Sequence, residues 1–339
     1  MNHRLNIGLI GTGRIGSLHS RNLVRQIPEA NLSAVCDIRL DVALAVAREL
    51  GIPRVVSNYR ELLADKAIEA VVIASSTDTH AFMMKDAALA GKHIFCEKPL
   101  ALDLQDIDDA LAVVDKAGVK LQVGFNRRFD RSFRRVREIT ASGQIGKPCI
   151  LHITNRDPVP PGLDYARTSG GMFLDMSIHD FDMARYQLGE VVEVFAMGSV
   201  LVAPELAEVG DVDTDVITLR FASGALGVID NSRQAVYGYD QRLEVFGTAG
   251  AARAENESND TVIRSDADGI HTAKPPRFFM DRYADCYVTE FREFIECVRK
   301  HTETPVTGRD GRMAVLIGLA AIKSKQENRP VRLSEVAAT

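Results

Sequence analysis

The chain has no surplus of positive charge. Its 41 lysines and arginines face 46 aspartates and glutamates, a formal net charge of −5 at neutral pH, so it carries no basic field to hold a nucleic-acid backbone. No apolar run approaches the roughly 20 residues that span a bilayer. Met1-Asn2-His3-Arg4 leads straight into a short apolar run with no small-residue cleavage site, which argues against a secretory signal. The five cysteines, Cys36, Cys96, Cys149, Cys286 and Cys297, are scattered, odd in number and without a CxxC pair. That pattern fits reduced thiols in a cytoplasmic protein better than a disulfide framework. What remains is ordinary globular composition, 46% hydrophobic and 26% charged over 339 residues, a length that implies two domains.

The first 124 residues alternate between strand and helix signals. Strands are expected at Leu5–Ile10, 32–37, Arg54–Val56, 70–74, His93–Cys96 and 121–124. Helices fall between them at 15–26, 41–50, 58–64 (with Asn58 as cap), 81–90 and Leu104–Ala117. Short apolar strands alternating with helices predict an α/β fold, here a doubly wound parallel sheet of Rossmann type over residues 1–124. After Gly124 the pattern changes. A helix at Arg131–Ala141 and a strand at 149–155 precede a loop rich in proline and glycine at 157–162 and a helix near 176–187. From Val191 to about Arg264 the sequence reads as successive strands, clearest at 216–221, 226–231 and 243–246, divided by turns such as Ser223-Gly224 and Thr248-Ala249-Gly250. Helices near 284–299 and 312–326 close the chain. This predicts a second α/β domain over 125–339, built on a large, open, mostly antiparallel sheet.

Gly11-Thr12-Gly13-Arg14-Ile15-Gly16 follows the first strand and opens the first helix. In that setting Gly11 permits a tight turn, Gly13 lets the backbone approach a pyrophosphate, and Gly16 allows close helix–strand packing. Asp37 ends the second strand, 21 residues beyond Gly16, the spacing of a carboxylate that bonds the adenosine ribose hydroxyls. It would repel a 2′-phosphate, favouring NAD over NADP, a preference that Arg39 would temper. Ser75, Ser76, Thr77 and His80, at the end of the fourth strand, suit the nicotinamide side of the crevice, although Thr77 or Thr79 would serve equally as a helix cap. The fifth strand ends in Cys96-Glu97-Lys98-Pro99. Lys98 there would donate to a substrate oxygen, with Pro99 restricting its backbone and the bond between them a candidate cis peptide. A second cluster spans Gly170-Gly171 to Asp182. On a helix Asp175, His179 and Asp182 would share one face, and an imidazole flanked by carboxylates is a plausible general base. Plainer readings exist for each alone: a helix N-cap for Asp175, a satisfied core histidine for His179. Asp-x-x-x-His would also suit a divalent ion, but convincing further ligands are missing and no metal is expected.

Taken together, the glycine turn, Glu97-Lys98-Pro99, and Gly170-Gly171 through Asp175 and His179 resemble the glucose-fructose oxidoreductase, inositol dehydrogenase and rhizopine catabolism (Gfo/Idh/MocA) family over nearly the whole chain. Within it, the stretches 155–158, 231–242 and 278–283 resemble the inositol 2-dehydrogenases. Ser76 departs from the pattern, since many relatives carry proline there. The resemblance implies an NAD-dependent oxidoreductase acting on a cyclic polyol or sugar, often a homotetramer assembled through the open sheet. It implies that Lys98 binds the reacting hydroxyl, His179 takes its proton, Asp175 orients substrate or histidine, and hydride leaves for the nicotinamide. Gly11, Gly13, Arg14, Ile15, Gly16, Asp37, Arg39, Ser75, Ser76, Thr77, His80, Glu97 and Lys98 would then contact cofactor. Arg127, Asn155, Asp157, Asp182, Tyr239 and Tyr283 would contact the polyol, whose hydroxyls need many donors and acceptors. The alternatives are an aldose dehydrogenase, redox-assisted glycoside cleavage, and a non-catalytic dinucleotide sensor on the same fold.

Overall fold

The computed structural model describes residues 4–337. Its first sheet has six parallel strands: β1 (Leu5–Ile10), β2 (Ala30–Cys36), β3 (Arg54–Val56), β4 (Ala70–Ile73), β5 (His93–Cys96) and β6 (Leu121–Val123). Their order is β3-β2-β1-β4-β5-β6, so the chain reverses direction across the sheet between β1 and β4, the switch point at which open α/β sheets bind ligands. The strands are near-continuous apolar runs because helices cover both faces; every residue of β4 is fully buried. Helices start and stop on local signals. Asp103 caps Leu104–Ala117 by accepting from the N–H groups of Gln105 and Asp106, and Gly118, at φ +67°, ends it.

The register explains where the chemistry can sit. Cys36, Ile10, Ile73, Cys96 and Val123 pair across successive strands as one rung. The next residue of each strand is therefore Asp37, Gly11, Ala74, Glu97 or Gly124. One step past the last rung, the parallel sheet presents the glycine turn, an acidic strand end and the Glu97-Lys98-Pro99 turn along one edge.

Asp285–Val315 belongs to the same compact unit as the residues up to Asn126, although sequence pattern alone places it in the second domain. The cause is apolar burial: Phe291, Phe294, Ile295 and Val298 of the helix Ala284–Lys300 join the core formed by Leu5, Ile7 and Phe95, and Phe291 stacks on Phe95 at 4.2 Å.

The second unit comprises Arg127–Ala284 and the chain from Leu316 onward. Its sheet contains β7 (Pro148–Arg156), β8 (Val191–Ser199), β9 (Thr214–Phe221), β10 (Leu226–Ser232), β11 (Asp240–Gly247) and β12 (Gly250–Ala254). β13 (Ile263–Asp266) and β14 (Gly269–Thr272) pair as a separate hairpin, and β15 (Val331–Arg332) completes the large sheet, whose order is β12-β11-β7-β10-β9-β8-β15. Within this sheet, among the described residues, only the β7–β10 pair is parallel. Leu151, Ile153, Ile217, Ile229, Leu243 and Val245 alternate onto a buried face. The other face stays open, with Phe246, Ile150 and Leu226 side by side across β11, β7 and β10 and each more than 40% exposed. Among the described residues no helix is long and apolar enough to cross a membrane, and all five cysteines are free.

Candidate active site

In the first unit the three glycines of the turn have three separate jobs. Gly11 stands at φ +92°, and a Cβ there would lie 2.6 Å from the Ala74 carbonyl oxygen. A Cβ at Gly16 would lie 1.8 Å from the Gly11 carbonyl oxygen, so this position admits glycine alone. A Cβ at Gly13 would meet nothing within 4 Å, which leaves open space above the start of the helix Arg14–Arg25. No side chain caps that helix, so its first N–H groups and positive dipole end remain available to an anion. Arg14 is exposed there, whereas Ile15 packs toward the core.

Asp37 is buried and closes the turn. Its Oδ2 accepts the N–H of Thr12 at 2.8 Å and the Thr12 hydroxyl at 2.9 Å, and its Oδ1 accepts the Arg39 N–H at 2.9 Å. Oδ1 retains capacity for a further donor, as a ribose contact requires. The Arg39 side chain stays largely exposed, its Nε 4.0 Å from Asp37.

After β4, Ser76 occupies the cap position of the helix Thr77–Leu89 without a side-chain bond to it. The Thr79 hydroxyl lies 2.6 Å from both the Ser76 carbonyl oxygen and Ser75 Oγ, so Thr79 ties this loop together. Ser75 and Thr77 remain half-exposed. His80 is buried with Nδ1 2.8 Å from the Pro99 carbonyl and Nε2 3.1 Å from the Ser75 carbonyl. Burial pushes its pKa down, with the carbonyl bonds opposing. It therefore links the loop after β4 to the turn after β5. In that turn the Lys98–Pro99 bond is cis, Lys98 is half-exposed, and Glu97 is buried.

In the second unit, Gly170 and Gly171 adopt φ +88° and +71°, and a Cβ at Gly171 would lie 2.7 Å from Asp211 Oδ1. That oxygen accepts the Met172 N–H at 2.8 Å. Residues Met172–Met176 then form a π-helical turn, closed by Ser177 N–H to the Met172 carbonyl, before the α-helix Ile178–Leu188 begins. This wider turn is the kind found at functional sites, and it breaks the regular helical spacing expected of Asp175, His179 and Asp182. Asp175 and His179 are half-exposed amid buried neighbours. Tyr165 donates to Asp175 Oδ1 at 2.7 Å, and the buried guanidinium of Arg233 lies 3.6 Å from Oδ2. Asp182 departs from expectation: it is 1% exposed, and Arg128 holds both its oxygens through Nε and Nη2. That ion pair ties the helix Ile178–Leu188 to Arg128 inside the second unit.

Four of the residues expected to touch a polyol are likewise internal. Arg127, Asn155, Tyr239 and Tyr283 are all buried and share one network. Arg127 donates to Asp180 at 2.6 Å and to the Tyr239 hydroxyl at 3.3 Å. Asn155 donates to Asp180 at 2.8 Å and accepts from Gln241, whose Oε1 takes the Tyr283 hydroxyl at 3.2 Å. Burial raises the pKa of both phenols, and both stay neutral: the Tyr239 hydroxyl accepts from Arg127 and the Tyr283 hydroxyl donates to Gln241. Asp157, at the end of β7, is half-exposed. Sequence reasoning misses the hub of this network, Asp180, and the partner of Asp175, Arg233, although both lie inside stretches that carry the family resemblance. The available signal for Asp180 is an ionisable residue in a stretch that also carries the apolar Ile178, Phe181 and Met183.

Comparison with known proteins matches these two halves separately. Residues 5–125 match the model described as oxidoreductase family, NAD-binding Rossmann fold, and residues 133–253 match the GFO/IDH/MocA C-terminal domain. The chain is 51% identical to the myo-inositol 2-dehydrogenase of Thermotoga maritima, over 98% of this chain and 99% of that protein. It is 39% identical to the NAD(+) scyllo-inositol 2-dehydrogenase of Bacillus subtilis, over 98% and 97%. Among solved structures it superposes on scyllo-inositol dehydrogenase from Lactobacillus casei with bound NAD(H) and scyllo-inositol, at a TM-score of 0.92 and 29% identity, covering 98% of this chain and 99% of that one. With a fingerprint turn, an acidic strand end and two family domains in sequence, the chain belongs to the GFO/IDH/MocA family of NAD-binding Rossmann-fold oxidoreductases.

Proposed function

We propose that this protein oxidises a secondary hydroxyl of an inositol, myo- or scyllo-, to an inosose with NAD. The observation that carries this reading is the sheet register, which sends Lys98 off the same edge of the parallel sheet as the glycine turn. The relatives at 51% and 39% identity, named for these two substrates, support the choice of polyol. NAD, when bound, accepts the hydride. Gly11, Gly13, Gly16 and the first turn of the helix Arg14–Arg25 would hold its pyrophosphate, and Asp37 its ribose. Lys98 binds the reacting oxygen and stabilises it as the proton leaves. His179 takes that proton, and Asp175, fixed by Tyr165 and Arg233, keeps the imidazole or the ring in place. Asp157 contacts the polyol directly, while Arg127, Asn155, Tyr239 and Tyr283 shape the surface behind it. A panel of inositol isomers and aldoses, read by NADH absorbance, tests the reading. Turnover with inositol supports it, whereas turnover of aldoses with none of any inositol overturns it.

Asp37→Ala is expected to raise the Kd for NAD by at least about tenfold, the effect of losing a charge-assisted bond, and to raise the Kd for NADP less. Fluorescence titration with both reduced nucleotides checks this, and a larger loss for NADP would misplace the ribose contact. We place the protein in the cytoplasm on its scattered free thiols. We assign the open sheet face to a homotetramer interface, because contiguous exposed apolar rows mark association surfaces. Phe246→Glu is expected to reduce the mass measured by light scattering from that of a tetramer, and a monomeric wild type would remove the assignment.

A further inference from the structure

Behind the Glu97-Lys98-Pro99 turn lies a buried cluster for which the reaction above has no use. His19, on the helix Arg14–Arg25, is fully buried among the rings of Phe95, Tyr287 and Phe291, with centroids 5.7, 5.6 and 4.9 Å away. Its Nε2 lies 2.6 Å from Glu97 Oε1, and Glu97 Oε2 accepts the backbone N–H of Lys98 at 3.3 Å. Glu290, on the helix Ala284–Lys300, is fully buried and brings a carboxyl oxygen within 4.8 Å of a ligand atom on each of the other two. Neither Glu290 oxygen has a hydrogen-bond partner among the described residues. Gly124 makes room for the group: a Cβ there would lie 3.0 Å from the carboxyl carbon and both oxygens of Glu97.

A histidine and two glutamates would suit either a metal ion or shared protons. Ligands bonded to zinc at about 2.1 Å in a tetrahedron stand about 3.4 Å apart. The 2.6 Å between His19 and Glu97 is too short for that and suits a charge-assisted hydrogen bond from Nε2–H to a carboxylate. Two carboxylates this close and this buried would not both stay charged. Burial, and then the charge of Glu97, drive the Glu290 pKa well above the usual carboxylate range, so Glu290 is the neutral member.

We infer that Glu97 is a positioning residue for Lys98: His19 clamps one carboxylate oxygen, the other oxygen holds the Lys98 main-chain N–H, and Glu290 closes the cluster as an uncharged acid. The aim of Lys98 is thus set through its own peptide group from inside the first unit. The kinetic part of this inference rests on the proposed role of Lys98; the spectroscopic part does not.

His19→Leu removes the donor, and His19→Gln restores an amide N–H where Nε2 stood. We expect His19→Leu to lower kcat at least about tenfold, as misplacement of a reacting group does, with KM and the NADH Kd changed less than about twofold. His19→Gln should recover most of the loss. Unchanged kcat in His19→Leu, or equal losses in both variants that track their folded fractions, would overturn the positioning role. Should His19→Leu fail to fold, Glu97→Gln is read by the same split between kcat and KM. Infrared difference spectra at neutral pH should contain a protonated carboxylic acid band that Glu290→Gln abolishes. Absence of that band, or a stoichiometric metal ion in the purified protein, would overturn the hydrogen-bonded cluster even if no inositol is turned over.

Discussion

Lys98→Met and His179→Asn should each lower kcat by at least about 10²-fold, the scale of losing a positioned acid–base group, while NADH binds each variant as it binds the wild type. The physical reason is that both side chains are half-exposed rather than part of a buried core. Lys98 is half-exposed past the end of β5, and His179 is half-exposed on a helix whose neighbouring positions are buried. Replacing either is therefore expected to leave the melting temperature close to that of the wild type. By contrast, Asp180 and Asp182 are fully buried in ion pairs with Arg127 and Arg128, and truncating either would leave an uncompensated buried charge and destabilise the fold. Fluorescence titration and thermal melts separate the two classes. Near-normal turnover in Lys98→Met or His179→Asn would remove them from the chemistry.

The second large effect is a contrast between two glycines three residues apart. Gly16→Val is expected to destabilise the protein by at least about 3 kcal/mol, the scale of severe overpacking, because the new Cβ would overlap the Gly11 carbonyl oxygen at 1.8 Å and backbone cannot move aside cheaply. Gly13→Val faces open space and should melt like the wild type. Its side chain would instead occupy the volume a pyrophosphate needs, raising the NAD Kd by at least about 10²-fold. Chemical denaturation and nucleotide titration on both variants check the pair. Equal stability of the two variants would show that the turn is looser than its geometry.

The parallel sheet and the glycine turn are legible in the sequence because each rests on local rules: apolar strands of few residues, a cap, a glycine where φ is positive. The separate roles of positions 11, 13 and 16 follow from their spacing between a strand and a helix. Packing between distant segments is not legible in this way. The helix Ala284–Lys300 shows an apolar face in sequence, but nothing local says that this face meets Phe95 rather than the nearer antiparallel strands. The π-helical turn at Met172–Met176 escapes for a related reason. Regular helical spacing puts Asp175, His179 and Asp182 on one face, and one wider turn is enough to leave Asp182 with Arg128. His19 and Glu290 carry no signal at all in sequence, since they are separated by most of the chain and meet Glu97 only once the sheet and its covering helices form.

The central claim is that Lys98 and His179 act on one hydroxyl in one step. A double-mutant cycle on kcat tests it most directly, comparing Lys98→Met, His179→Asn and the combined variant with the wild type under saturating inositol and NAD. Groups that act as a unit are strongly non-additive, so the double variant should be about as slow as the slower single variant. Losses that multiply in full would mean that the two residues serve separate steps, and the proposed mechanism would fail.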